Sequence, residues 1–210
     1  LDGDVDGRTD RIYATDTGGN IWRMDLKGAD KSKWSIFKFA AIGNSYLADA
    51  DKTLVNDRRL FTQPVLVRTI NKGWSYSNNQ YAYNERPFDA VIIGTGDRNR
   101  PSSESTAKNV YVMLRDYNVK PTLFGVDPDA SIPAPITLDD LYDVTADPFQ
   151  DKTDAQLVDT QKALTSKLGW KFWLNELGEK TMGAGLVLDG KLYFTTFLPQ
   201  AQSFQQCTIQ

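Results

Sequence analysis

Four of the first ten residues of the chain are aspartates. They occupy positions one, three, five and nine of a loop, and Gly7 occupies position six. In calcium-binding loops, alternate residues turn their oxygens towards one point, position seven adds its backbone carbonyl, and the glycine permits the sharp turn. Carboxylates this close repel one another at neutral pH unless a cation lies between them. The spacing therefore predicts a Ca²⁺ site formed by the side chains of Asp2, Asp4, Asp6 and Asp10 and the backbone carbonyl of Arg8.

The loop differs from an EF-hand, because position twelve is Tyr13 where the EF-hand has a bidentate glutamate. Residues 11–15 alternate between apolar and polar types, which indicates a strand rather than an exiting helix. Every expected ligand is a hard oxygen and the chain contains no histidine, so the donor set favours calcium over zinc. A solvated acidic turn without metal is the alternative, since Asp and Gly are common turn residues.

Composition excludes several classes of function. A net charge of −3 and scattered Lys and Arg argue against nucleic acid as a partner. No apolar run approaches the length of a membrane span. Without histidine there is no Ser-His-Asp triad, and with Cys207 as the lone cysteine there is no internal disulfide. Taken together, these features lead us to expect a protein that is not an enzyme.

Repeated strand–turn–strand segments predict an all-β fold. The clearest turn is Asp189-Gly190 between two apolar runs, because both turn positions require a positive φ. The predicted strands are 11–16, 21–26, 63–69, 89–94, 109–115, 185–188 and 191–197.

Recurring hairpins with aromatic or glycine marks are typical of β-propeller blades. At roughly 40–50 residues a blade, we expect a partial propeller of about three to four blades within one domain over 1–210. Residues 117–168 interrupt the pattern and predict an insertion that is helical around 130–168. Its main helix is expected at about 154–168 with Gly169 as the C-terminal cap, and a shorter helix at 137–142.

An aromatic group stands in a polar segment of the chain. It consists of Trp74, Tyr76, Tyr81 and Tyr83. Exposed aromatic rings suit contact with sugars or proteins. The cluster therefore predicts either a carbohydrate-binding surface or packing beneath a long loop.

The calcium loop followed by residues 11–26 (RIYATDTGGNIWRMDL) resembles the C-terminal propeller of the PilY/PilC family. These proteins are type IV pilus biogenesis factors and tip-associated adhesins. Later segments are similar to the family in the same order. They are residues 61–65, 91–97, 109–111 with Asp116, 169–170, 178–180 and 193–199, followed by Cys207.

The resemblance implies a calcium-binding module at the pilus tip that supports pilus extension, twitching motility and surface adhesion. It implies pilin or minor pilin subunits and a host or abiotic surface as partners. It also implies a location on the cell surface, reached through the periplasm of a Gram-negative bacterium. Some members carry an Arg-Gly-Asp integrin motif, which is absent here, since the chain has Arg8-Thr9-Asp10.

A fragment of a quinoprotein dehydrogenase is the enzymatic alternative, because those propellers also have tryptophan-marked blades and a quinone cofactor bound to calcium. A short contiguous loop that already encloses the ion leaves few open ligand positions for such a cofactor. The lone cysteine also excludes the adjacent-cysteine disulfide that these enzymes often carry.

Overall fold

The structure is a computed structural model that describes residues 1–2, 6–119 and 122–199. Asp4 of the expected calcium loop and Cys207 lie outside the described residues. No helix among the described residues is long and apolar enough to cross a membrane.

Strands dominate the described chain, and one α-helix accompanies them. The helix α1 spans Asp154–Ser166. In chain order the strands are β1 (Arg11–Thr15), β2 (Asn20–Asp25), β3 (Ser35–Ala41), β4 (Val65–Ser77), β5 (Gln80–Gly94), β6 (Val110–Asp116), β7 (Tyr142–Asp143), β8 (Gly169–Trp173), β9 (Lys180–Thr181), β10 (Leu186–Leu188), β11 (Lys191–Tyr193) and β12 (Thr196–Phe197).

Two sheets carry most of the structure. One is an antiparallel meander in the order β1-β2-β3, and the other has the order β4-β5-β6-β8-β7 with β7 parallel to β8. Two further strand pairs are β10 with β11 and β9 with β12. The predicted all-β class is confirmed, but the described residues form sheets of two, three and five strands rather than separate four-stranded blades.

Both faces of the five-stranded sheet are buried where β5 pairs with β6. Along β5, Val91 and Ile93 face the three-stranded sheet, while Ala90 and Ile92 face the other side, as the period of a strand requires. The first face packs on Tyr13, Ile21, Phe37 and Phe39, and the second packs on Val187, Leu192 and Phe194 near the β10–β11 hairpin. The sheet therefore forms the middle layer of the core.

The turn between β1 and β2 is held by one carboxylate. Asp16 accepts hydrogen bonds from the backbone N–H of Gly18 and Asn20 and from the indole Nε1 of Trp22 at 2.8–3.1 Å. Burial raises the pKa of Asp16, but these donors outweigh it and lower the pKa overall. Gly19 has φ +77 and lies against the Gly43 backbone, where a side chain would collide. The turn sequence is thus dictated by hydrogen bonding and by close backbone approach.

The β4–β5 hairpin is longer than the sequence predicts. Its turn is Asn78-Asn79, with φ of +51 and +59, and the two strands stay in register from Val65 opposite Ile92 to Ser77 opposite Gln80. Because β6 pairs with β5 only from Asp89 to Gly94, residues 69–88 project beyond β6 as a two-stranded arm. The arm carries Trp74 and Tyr83, whose rings meet edge to face at 5.8 Å.

Helix α1 starts with a capping box. The amide and hydroxyl of Thr153 donate to Gln156 Oε1 at 3.0 and 3.1 Å, so the first turn is satisfied locally. At the other end, Arg115 of β6 donates from Nη1 to the carbonyls of Leu164 at 2.9 Å and Lys167 at 3.1 Å. A buried side chain from the sheet therefore caps the helix.

The prediction that Gly169 caps this helix is wrong. Gly169 begins β8 with φ +155, and a Cβ there would collide with the carbonyl of Met113. The glycine is required by the close approach of two strands. The helix predicted at 137–142 is also wrong, since Leu138–Asp140 form a single 3-10 turn and Tyr142 already belongs to β7.

Replacing Arg115 with alanine should lower the free energy of unfolding by about 2–3 kcal/mol, because hydrogen bonds from a charged donor to the helix carbonyls are lost. Urea denaturation measures this, with the exposed Arg98→Ala as the matched control. Equal stability of both variants would contradict the capping role of Arg115.

Candidate metal-binding loop and the charge network behind it

The acidic loop at the start of the chain is closed at its base. The Leu1 carbonyl accepts from the N–H of Asp10 at 2.9 Å and of Arg11 at 3.1 Å. In return, the Leu1 amino group donates to the Arg11 carbonyl at 2.8 Å. Asp10 also accepts at its carbonyl from Leu26 N at 2.7 Å, which ties the end of the loop to the residue after β2. Loop positions one and nine are thereby brought near each other.

The interior of the loop has the backbone that the calcium pattern requires. Gly7, at position six, has φ +82 with open space around its Cα, so it is selected by conformation and not by crowding. Its N–H donates to Asp2 Oδ2 at 2.9 Å, and Arg8 N–H donates to Asp6 Oδ1 at 2.8 Å. These bonds curl the loop so that positions one and six approach.

The expected ligands are only partly described. Asp2, Asp6, Arg8 and Asp10 lie in the described residues, and Asp4 lies outside them. Asp2, Asp6 and Asp10 take part in interactions within the chain. Across residues 1–2, 6–119 and 122–199, no group of three or more His, Cys, Asp or Glu is arranged to hold a metal ion. The donors are hard oxygens, which fit calcium. The calcium site remains a prediction.

A cavity of about 870 Å³ adjoins the loop. The loop residues Asp6, Arg8, Thr9 and Asp10 line one part of it. Its other lining residues are Leu1, Arg11, Asp25, Leu26, Lys27, Gly28, Ala29, Trp34, Arg68, Val119 and Leu123. The cavity thus joins the loop to charged groups that extend into the protein.

Those charged groups form a buried network centred on Arg11. Its Nε lies 2.7 Å from Asp25 Oδ1 in the same sheet. Its Nη1 lies 3.2 Å from Asp89 Oδ2 and 3.7 Å from Asp116 Oδ2, in the five-stranded sheet. Asp89 is fully buried. One guanidinium therefore contacts carboxylates from three strands in two sheets.

Two further arginines complete the network. Arg23 lies 2.7 Å from Asp25 through Nη2 and 2.8 Å from Asp116 through Nη1. Arg68 lies 2.8 Å from Asp89 through Nε, and its side chain is 37% exposed. Three arginines thus face three aspartates, so the cluster is neutral overall. Removing one partner of such a buried pair leaves an uncompensated charge, which is strongly destabilising.

Tyr13 adds a hydroxyl to this network. It donates to Asp116 Oδ2 at 2.6 Å, while its ring packs on Phe39 in the core. Burial and the neighbouring Asp116 carboxylate raise the pKa of Tyr13 well above its ordinary value of 10.0. The tyrosine therefore stays protonated and acts as a permanent donor.

The sequence did not reveal this network. Its members are far apart along the chain, with a separation of 78 positions from Arg11 to Asp89 and of 103 positions from Tyr13 to Asp116. The only available signal was a set of opposite charges within otherwise apolar strands.

A second buried ion pair lies near the end of β5. Lys180 is fully buried, donates to the carbonyls of Pro101 at 2.9 Å and Glu104 at 2.6 Å, and lies 3.3 Å from Glu104 Oε2. It packs against Gly96 in the turn Gly94-Thr95-Gly96. Thr95 in that turn donates to Asn109 Oδ1 at 2.8 Å. The turn therefore contacts the residue before β6 and the first residue of β9, and it has a structural role.

Comparison with known proteins gives one informative similarity. The chain is 23% identical over 209 residues to "Type IV pilus biogenesis factor PilY1 homolog" of Xylella fastidiosa, an alignment that covers 95% of this chain. It spans only 12% of the length of that relative. No protein-family model matches the chain, and no solved structure matches it. The similarity supports a PilY1-like type IV pilus factor at the level of the family.

Replacing Tyr13 with phenylalanine should lower the free energy of unfolding by about 2 kcal/mol, because the hydrogen bond to a buried carboxylate is lost while the ring remains. Chemical denaturation of this variant and of the exposed Tyr193→Phe measures the difference. If both variants match the parent, the Tyr13 hydroxyl contributes nothing to the network.

Proposed function

We propose that this chain is a calcium-binding β-propeller module of a type IV pilus tip-associated biogenesis factor and adhesin, and that it is not an enzyme. One observation carries the calcium part. The loop closes on β1 with Gly7 at position six and at positive φ. Similarity to a PilY1 homolog supports the link to pili.

In this proposal Asp2, Asp4, Asp6 and Asp10 bind the ion through their side chains, and Arg8 through its carbonyl. The ion supplies positive charge that offsets the repulsion between the carboxylates. The hydrogen bonds from Gly7 and Arg8 already fold part of the loop, so less ordering is left for the binding step. Closing the loop then fixes the start of β1.

The propeller is the larger architecture to which we assign these sheets. The β1-β2-β3 meander, with its Asp16-bonded turn and Trp22, is the kind of unit that a blade repeats. Since the chain spans 12% of its relative, the activity of a whole protein is part of the proposal.

Pilin or minor pilin subunits and an external surface are the proposed partners, outside the cell at the pilus tip. The projecting β4–β5 arm supports a contact role, because its Ile70, Tyr81 and Tyr83 are exposed, the last by 71%. Exposed aromatic rings are favoured in protein contacts. Pilus extension, twitching motility and adhesion would depend on such contacts.

A carbohydrate is the second candidate ligand of this arm, and the exposed ring of Tyr83 favours it. Trp74 is a poorer stacking platform, since Lys162 Nζ lies 4.8 Å from the centre of its ring. Glycan-array binding that is lost in Tyr83→Ala and kept in the exposed Tyr193→Phe would favour a sugar site. Absence of any glycan signal would leave the arm to protein partners.

Calcium should bind the chain, and Asp6→Ala and Asp10→Ala should each weaken binding at least tenfold, because each removes one of about five ligands. Isothermal titration calorimetry measures this directly. At a hundredfold excess over Kd, calcium should also raise the melting temperature by about 5–10 °C, from about 2.7 kcal/mol of linked stabilisation.

The exposed Asp49→Ala is the matched control, since it removes a surface carboxylate outside the loop. It should leave calcium binding unchanged. The proposal is wrong if the parent chain binds no calcium, or if Asp6→Ala and Asp10→Ala bind it as tightly as Asp49→Ala. Twitching and surface piliation of the bacterium carrying Asp10→Ala test the pilus part separately.

A further inference from the structure

We propose that the buried charge network positions the calcium loop, so that Asp89 and Asp116 in the five-stranded sheet control calcium affinity without touching the ion. This inference rests on the calcium site proposed above. It concerns which residues hold the calcium loop in position and how bound calcium stabilises the rest of the fold.

Arg11 connects the loop to the network because its backbone bonds to the loop and its side chain bonds to the network. Its backbone N–H and carbonyl both bond to Leu1, which closes the base of the loop directly after the ligand Asp10. Its side chain points into the protein and lies 2.7 Å from Asp25 and 3.2 Å from Asp89. The position of the loop base and the position of the guanidinium are therefore linked through a single residue.

The guanidinium has little freedom to move. It is buried, and its nearest polar partners are carboxylates of β2, β5 and β6. A shift of Arg11 would separate buried charges, which is strongly unfavourable because each ion would lose its partner without regaining water. The base of the loop is therefore held in one place relative to both sheets.

The carboxylates are themselves held by other groups. Asp89 is fixed by Arg68 at 2.8 Å, and Asp116 by Arg23 at 2.8 Å and Tyr13 at 2.6 Å. Groups that orient metal ligands from behind typically change metal affinity 10–100-fold when they are mutated. Asp89 and Asp116 orient the calcium loop in this indirect way, because they hold Arg11.

Linkage makes the effect reciprocal. If an ordered network strengthens calcium binding, bound calcium must stabilise the network to the same extent. Calcium would then tighten the contact between the three-stranded and five-stranded sheets, far beyond the loop itself. A purely structural network would stabilise the fold and leave calcium affinity unchanged.

The matched control is the other buried ion pair. Glu104→Gln converts a buried, hydrogen-bonded carboxylate to an amide, as Asp89→Asn and Asp116→Asn do. Its partner Lys180 packs on Gly96, which lies seven residues after Asp89, or about 23 Å along an extended strand. All three variants are therefore expected to lose stability, but only Asp89→Asn and Asp116→Asn are expected to weaken calcium binding.

Calorimetry with CaCl₂ on the full chain should give a Kd at least tenfold higher for Asp89→Asn and Asp116→Asn than for the parent, and a change below twofold for Glu104→Gln. Circular dichroism establishes that each variant is folded before titration. If the Asp89→Asn and Asp116→Asn variants are folded and their Kd matches that of Glu104→Gln, the inference is overturned. If the parent binds no calcium at all, the proposed function fails first.

Hydrogen exchange on the unmodified chain gives a second test that does not depend on variant folding. Calcium should slow amide exchange in β5 and β6 around Asp89 and Asp116 more than around Thr95 and Lys180. Protection confined to the loop and β1 would contradict the coupling even where calcium binds.

Discussion

The network of three arginines and three aspartates between the sheets is the interaction on which the arrangement of this protein depends. Apolar side chains on both sheets would pack in several relative positions, because hydrophobic contact is not directional. Charged hydrogen bonds are directional, and buried charges need their partners in place. Arg11 and Arg23 of the three-stranded sheet contact Asp89 and Asp116 of the five-stranded sheet. These contacts select one position of the two sheets relative to each other. Tyr13 belongs to both sides of this interface, with its ring in the apolar core and its hydroxyl in the network.

The sequence predicts much of the local structure and little of this assembly. The Asp189-Gly190 turn is found with φ of +50 and +71 between β10 and β11, because two adjacent positive-φ residues leave few alternatives. The full length of β4 and β5 escaped prediction, since their turn is Asn78-Asn79 and the arm strands are largely polar. The sequence pattern predicts Gly169 at a helix end, whereas the close approach of the Met113 carbonyl from another strand is what requires a glycine there. Local patterns thus indicate turns and strands, and long-range contacts decide the remainder.

The candidate site also has one part that the sequence predicts and another that it does not. Gly7 could be predicted from spacing alone, because only its backbone conformation matters. The closure of the loop by Leu1 and the anchoring of Arg11 could not, because both depend on partners that become neighbours only in the folded chain. The similarity to a pilus biogenesis factor and the geometry of the loop are independent observations that lead to one proposal.

The pairing of Leu114 with Gly169 has a consequence for how this architecture can vary among proteins. The connection after β6 departs and returns at neighbouring strands, and Arg115 binds the returning helix at the same place. Its two ends are therefore fixed side by side, whatever lies between them. The entropy cost of closing a flexible segment rises only slowly with its length. Evolution can lengthen, shorten or exchange the parts of this segment outside β7 while the sheet keeps its strand order, which makes them the natural place for related proteins to acquire different surfaces.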